Sequence, residues 1–292
     1  MATERRLRLR GIAAFSVSTP EFTPEELVGV LGALGYDGVE WRVVDQEPSA
    51  DGRPGFWKGN RATVPLRTFV EDAPRIRRLA DEAGLETINV GAYAQCSALD
   101  EVEQVLRGTA ALGAPTARIR VPGFGPDSSD YRALRDRSRA EFEQVAALAR
   151  RYGVRALIET HQDTILPSAS AVASFLEGMD PRDVGVIHDP GNMVKEGYES
   201  YRLGLEALGP YLAHVQLKSA RWVADGTRPD GSTAWRSEWA SLKAGIVDVG
   251  AYVQALAAVG YDGWISFEDF SMDLPIRERL RDNLAYLRGL LA

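Results

Sequence analysis

Eight times along this chain, a short apolar run is followed by a longer stretch with one apolar face. The runs lie at 10–17, 38–43, 86–93, 116–121, 155–160, 184–189, 212–217 and 263–268. The stretches lie at 24–34, 66–83, 100–112, 130–151, 168–178, 199–208, 248–259 and 275–291. Short continuous runs read as buried strands, and 3.6-residue spacing reads as helix. In 141–152, for example, Phe142, Val145, Ala146, Leu148 and Ala149 fall on one helical face. Glycine stands where four helices must stop before a strand, at Gly35, Gly84, Gly153 and Gly260, because a left-handed terminus favours a residue without Cβ. Thr23, Pro24 and Glu26 have the chemistry of a capped helix start. The joint LGYDGVEW (34–41) returns almost unchanged as VGYDGWIS (259–266). Eight such units in 292 residues match a (β/α)8 TIM barrel in count and length. The expectation is a single α/β domain over residues 1–292, with about 1–9 as an N-terminal tail. A doubly wound sheet would place a Gly-rich phosphate loop after its first strand, whereas here that strand runs into SVSTPEF.

Composition narrows the partners. The formal net charge is −7, which argues against nucleic acid, since phosphate binding needs a basic face. No apolar run approaches the roughly 20 residues that cross a bilayer, so no membrane partner is expected. The basic opening MATERRLRLR runs into a short apolar stretch broken by Ser16 and Ser18; it reads as a tail feeding a strand, not a signal peptide. A lone cysteine, Cys96, fits a reducing cytoplasm.

Four of the apolar runs deliver a group that an apolar core should not hold. RALIETH (155–161) brings Glu159, VGVIHDPGN (184–192) brings Asp189, LAHVQLKS (212–219) brings His214 and GWISFEDF (263–270) brings Glu268. Unpaired buried charge is costly, so four such groups on four consecutive strands point to a shared partner. Strand alternation lets Glu159, His214 and Glu268 face the barrel axis, with His161 on the face of Glu159 and with Gln216 and Lys218 on that of His214. Ile187 has the parity of Asp189, and His188 should face the helices. Three carboxylates and one imidazole suit one hard divalent cation: Mn2+ first, with Mg2+, Co2+ and Zn2+ as alternatives. Such an ion polarises a bound carbonyl and steadies a developing enediolate. Glu159 and Glu268, on different sides of the site, suit removing a proton and returning it.

Other residues fit substrate contacts. His161 suits a sugar hydroxyl, Lys218 an enediolate or carboxylate, and Glu40 another hydroxyl. Arg120, in RIRVPGF, suits an anionic group through its fork of donors. The competing role for each is a structural ion pair or hydrogen bond. The long connections 44–65 and 219–247 follow C-terminal strand ends, the catalytic face of a barrel. Trp57, Phe124, Trp222, Trp235 and Trp239 lie in loops on that side. They can wall a sugar ring or serve an interface, which leaves room for a homo-oligomer.

At IETHQDT (158–164), HDPGN (188–192), AHVQLKS (213–219) and GYDGWISFEDF (260–270), with GYDG followed by VEW (35–41), the chain resembles the xylose isomerase-like TIM barrel superfamily, also described as sugar phosphate isomerases/epimerases. The resemblance runs from about residue 10 to 291. It implies a divalent metal on Glu159, Asp189, His214 and Glu268, with Glu159 and Glu268 doubling as acid and base. Asn192 stands where ketose 3-epimerases of this kind carry a histidine, and is taken as a substrate contact. A Gly-Glu-Gly turn typical of many relatives is replaced by LKAGIVD (242–248). The nuclease branch needs a His-rich zinc cluster, which three histidines do not supply. The resulting expectation is a cytoplasmic metal-dependent isomerase or epimerase of a sugar or polyol ketone. Its rivals are a lyase or dehydratase acting on a keto-sugar, inosose or 3-keto-glycoside, and a non-catalytic sugar-binding barrel.

Overall fold

The computed structural model describes residues 6–128 and 130–292. Eight parallel strands close into a barrel: β1 (Gly11–Phe15), β2 (Gly38–Val43), β3 (Glu86–Gln95), β4 (Thr116–Arg120), β5 (Arg155–Glu159), β6 (Val184–His188), β7 (Leu212–Leu217) and β10 (Trp264–Phe267). Their order around the barrel is β1-β10-β7-β6-β5-β4-β3-β2. An antiparallel hairpin, β8 (Ser219–Thr227) and β9 (Thr233–Ala240), intervenes between β7 and β10. The helices are α1 (Pro24–Leu34), α2 (Phe69–Glu82), α3 (Leu99–Leu112), α4 (Tyr131–Tyr152), α5 (Ala169–Leu176), α6 (Pro190–Lys195), α7 (Tyr201–Leu208), α8 (Val249–Ala258) and α9 (Ile276–Leu291). Their apolar faces pack on the outer faces of the strands to make the main core. No helix of the described residues is long and apolar enough to cross a membrane.

The eight expected strands and helices are all present, with small shifts at their ends. All four helix-stopping glycines take positive φ, from 65° at Gly153 to 85° at Gly35. Thr23 and Glu26 close a reciprocal capping box. The repeated joint is used on both sides of β1, whose neighbours are β2 and β10. Asp37 Oδ2 accepts Ile12 N at 3.0 Å, and Asp262 O accepts Arg10 N at 3.0 Å.

Three features depart from expectation. Residues 219–247 are largely the β8–β9 hairpin, whose exposed strands lack the apolar run that marks a barrel strand. The short α6 forms because Asp189 caps it, accepting from Gly191 N at 2.8 Å and Asn192 N at 3.0 Å, with Pro190 in the first turn. The N-terminal tail is shorter than expected, because Leu7 is buried in the core and Leu9 packs against it; residues 1–5 lie outside the described residues.

Candidate active site

The barrel interior has three levels. At the bottom, Ala13, Ile88 and Trp264 form an apolar plug. Above it lies a polar layer centred on Glu40. At the C-terminal strand ends lies a layer of full charges: Glu159, Asp189, Glu268, Lys218 and Arg118, each buried.

The upper layer is built by strand ends and the turns after them. Glu159 ends β5, Asp189 follows β6, Lys218 follows β7 and Glu268 follows β10. One carboxylate oxygen from each of Glu159, Asp189 and Glu268 lies within 4.8 Å of the other two. The Lys218 ammonium stands among them, 2.7 Å from Asp189 Oδ2, 3.7 Å from Glu159 Oε1 and in direct contact with Glu268 Oε2. Gly191 makes this approach feasible, since a Cβ there would lie 2.5 Å from Lys218 Cγ and 2.7 Å from its carbonyl oxygen. Arg118 pairs with Glu159 Oε2, and its Nε donates to Ala92 O at 3.1 Å. Asn192, fully buried, donates to Glu159 Oε1 at 2.8 Å and to Thr160 O at 3.0 Å.

Three carboxylates against two cations leave the layer short of positive charge, and the three acids respond differently. Burial works to raise Glu159, but the Arg118 and Lys218 charges outweigh it and hold the carboxyl down at about 2. Burial raises Asp189 to about 6, partly offset by Lys218 and reinforced by Glu159. Glu268 is pushed up to about 8 by burial, which Lys218 only partly offsets and to which Glu159 and Asp189 add. Glu159 is thus held down and Glu268 pushed up, in opposite directions within one layer.

His214 is absent from this layer. Its Nε2 meets Glu40 Oε2 at 3.1 Å, while Glu40 Oε1 accepts from Asn89 Nδ2 at 2.8 Å and Gln216 Nε2 at 2.7 Å. Asn89 in turn accepts from the Thr116 hydroxyl at 2.6 Å. Burial works to raise Glu40, but His214 and the amide donors hold it below the ordinary carboxylate range. The expected set of four is therefore split, three above and one below. Glu40, expected to touch a sugar hydroxyl, is sealed in the same lower layer. The cause is strand tilt. Glu159, Ile187 and His214 share one hydrogen-bonded rung, but a barrel of shear eight climbs about one residue per strand. Two strands on from Glu159, its level is that of Gln216. His188 does face the helices, with Nδ1 2.8 Å from Tyr252 Oη in α8.

The donor chemistry fits a hard divalent cation. Gln216 Oε1 is buried without a hydrogen-bond donor, and the three clustered carboxylates make an all-oxygen set. The ammonium of Lys218 stands where such a charge belongs.

Above the acids opens a cavity of about 230 Å³. Trp57, Tyr93, Trp239 and Phe270 wall it, and Arg118, Arg120, Glu159, His161, Lys218 and Glu268 bring polar groups. Of the expected substrate contacts, His161, Arg120 and Lys218 line this space. Asn192 does not line it and instead holds Glu159 from behind. Burial keeps His161 below its ordinary pKa, and its Nδ1 lies 2.6 Å from Gln162 O. Of the loop aromatics, Trp57 and Trp239 reach the cavity. Phe124 packs on Tyr131, and Trp222 donates to Val194 O at 2.9 Å. Sequence reasoning missed Arg118, Tyr93 and Phe270, and placed Gln216 on the axis-facing side without a role. Arg118 and Phe270 were within reach of parity: each lies two residues from a singled-out residue, Arg120 and Glu268.

Comparison with known proteins matches this architecture. An inosose dehydratase from Geobacillus thermodenitrificans is 26% identical over 129 residues, which are 41% of this chain and 42% of that relative's length. A 3-keto-D-glucoside 4-epimerase from E. coli, solved in its apo form, superposes with a TM-score of 0.70 at 16% identity, covering 96% of this chain and 99% of its own. A xylose isomerase-like TIM barrel protein from Mycobacterium smegmatis, solved in complex with magnesium, superposes with a TM-score of 0.69 at 18% identity, covering 100% of this chain and 98% of its own. Likeness at such identity speaks for the fold. The sequence model of one family matches residues 29–290. With that span and a closed eight-stranded barrel, the chain belongs to the xylose isomerase-like TIM barrel family.

Proposed function

We propose that this protein is a divalent-metal-dependent sugar isomerase or epimerase acting on a small sugar or polyol ketone. The observation that carries the reading is geometric: Glu159 and Glu268 bring two carboxyls to one cavity from the ends of two separate strands, an arrangement suited to removing a proton and returning it. Glu159, ionised, removes the proton from the carbon beside the substrate carbonyl. Glu268, at the end of another strand on the same cavity, is placed to return a proton to the substrate. Asn192 and Arg118 fix the Glu159 carboxylate, so it need not reorganise during transfer. Lys218 and Arg118 face the negative charge that develops as the proton leaves. The aromatic walls exclude water and pack on the sugar's C–H faces.

Glu159, Asp189 and Glu268 would hold the cation, without the His214 nitrogen expected from sequence. When bound, the metal supplies Lewis acidity toward the carbonyl. An oxygen set favours Mn2+ or Mg2+ over Zn2+. A divalent metal is also supported by the Mycobacterium smegmatis protein of the same fold, which was solved in complex with magnesium.

The test is deuterium uptake from D2O into ketoses, inososes and 3-keto-glycosides. Glu159→Gln and Glu268→Gln should each lower exchange by about 10²- to 10⁴-fold while leaving the folded state intact by circular dichroism. Exchange retained in both variants rejects the acid–base roles. The partial similarity to an inosose dehydratase favours a second reading, a dehydratase that begins with the same proton removal. Product mass separates the two, because dehydration loses a water and isomerisation loses nothing.

A further inference from the structure

Tyr93 is surrounded by guanidinium groups. Arg42, Arg118 and Arg120 place their Cζ atoms 5.0, 4.7 and 5.5 Å from its ring centroid. Such contacts suit a cation on a ring face, but three together repel one another unless anions intervene. Among the described residues, only Arg118 has a carboxylate partner, Glu159. Arg42 is buried and is held by neutral oxygens alone: Gln46 Oε1 at 2.9 Å, Thr63 Oγ1 at 2.7 Å and Trp57 O at 3.1 Å. Its Nε has no acceptor. Arg120 lines the cavity, and its guanidinium makes no ion pair or hydrogen bond among the described residues. Burial and the Arg118 charge both act to lower its pKa. Arg42, buried, and Arg120, partly buried on the cavity, are thus two guanidiniums of the β2–β4 wall without a carboxylate in direct contact. Glu159 acts on Arg120 only through space, and no acid of the described residues touches its guanidinium.

Resting on the sugar-ketone reading above, we infer that the substrate carries an anionic group and that Arg120 reads it. The Arg120 fork presents parallel N–H donors that match a carboxylate or phosphate edge. Tyr93 holds the guanidinium plane, and Arg42 and Arg118 add charge behind it. The ligand class is an acidic sugar: a ketose oxidised to a carboxylate at its far end, or one phosphorylated there. Arg120 thus determines specificity without touching the reacting carbons.

Three ketoses that differ only at C6 test this: D-fructose, D-fructuronate and D-fructose 6-phosphate. Binding is followed by quenching of tryptophan fluorescence, since Trp57 and Trp239 line the cavity. In the wild-type protein at low salt, one of the two anions should bind at least about tenfold more tightly than fructose, the worth of a charged hydrogen bond. Arg120→Gln should remove that advantage, so that the preferred anion binds no more tightly than fructose to the variant. Whether the carboxylate or the phosphate wins identifies the source of the charge. Equal binding of all three, or a preference that survives Arg120→Gln, overturns the inference while leaving the sugar-ketone reading in place. Binding of none of the three rejects the inference, and the sugar-ketone reading is then decided by the deuterium uptake of inososes and 3-keto-glycosides.

Discussion

Two acidic layers lie one above the other inside this barrel, and they are built to opposite rules. In the lower layer, both Glu40 oxygens are taken by His214, Asn89 and Gln216, and the group stays ionised despite complete burial. In the upper layer, three carboxylates face two cations, and burial with the neighbouring Glu159 and Asp189 pushes Glu268 up. A closed network specifies structure, because every member loses its partner if one moves. An open one stores unmet demand, and unmet demand in a cleft marks chemistry. The difference separates two sets of residues that look alike in sequence, each a charged or polar group at a buried strand position.

The sharpest way to break this contrast is Lys218→Met. Removing the ammonium leaves three buried carboxylates against Arg118 alone, and should cost about 3–5 kcal/mol of stability in EDTA. Mn2+ should restore the melting temperature if the upper layer is a cation site. A loss that Mn2+ does not repair would make Lys218 a purely structural counter-charge. His214→Ala probes the lower layer, leaving Glu40 one donor short at a cost of about 1–3 kcal/mol. It should not alter metal content by elemental analysis, and a metal lost with His214 would return the imidazole to the ligand set. Gly191→Ala drives a methyl into the Lys218 backbone and should cost about 1–3 kcal/mol. That loss should be accompanied by weaker metal binding, whereas a helix-surface glycine such as Gly289, with open space around it, should tolerate alanine.

The smallest expected effect concerns pH. The folded pKa of Glu268 lies above its unfolded value, so the native state holds a proton that the unfolded chain has released. Its contribution is therefore complete below about pH 4.5 and declines as pH rises toward about 8. Glu159 shifts the other way, and its contribution is lost only as pH falls toward about 2, outside that window. Metal-free protein should melt lower at pH 8 than at pH 6, with a slope below about 1.4 kcal/mol per pH unit. Glu268→Gln should flatten that slope, and an unchanged slope would place the titrating group elsewhere.

Much of this was legible in the chain. Glu159, Asp189 and Glu268 were readable because a carboxylate closing a buried apolar run has few structural excuses. The barrel was readable from eightfold alternation and from glycines that can only be helix stops. His214 was misread because alternation reveals which face a side chain takes, not its depth along the axis; depth depends on strand tilt, a property of the closed barrel. Lys218 was assigned the right face, yet its place among three acids depends on the missing side chain at Gly191, a contact between separate strand ends. The β8–β9 hairpin escaped because its strands are held by each other and not by burial, so they show no apolar period.

Lys218 also bears on how the site fills. A cation tied to the backbone by four methylenes is a competitor that dilution cannot remove, and its local concentration is fixed by geometry. An arriving metal ion must outbid it before meeting any substrate. Affinity should then be weaker than three carboxylates alone would give, and occupancy should track the free ion in the surroundings. Truncating the tether to methionine should tighten metal binding while weakening the metal-free fold, so one side chain sets both thresholds in opposite directions.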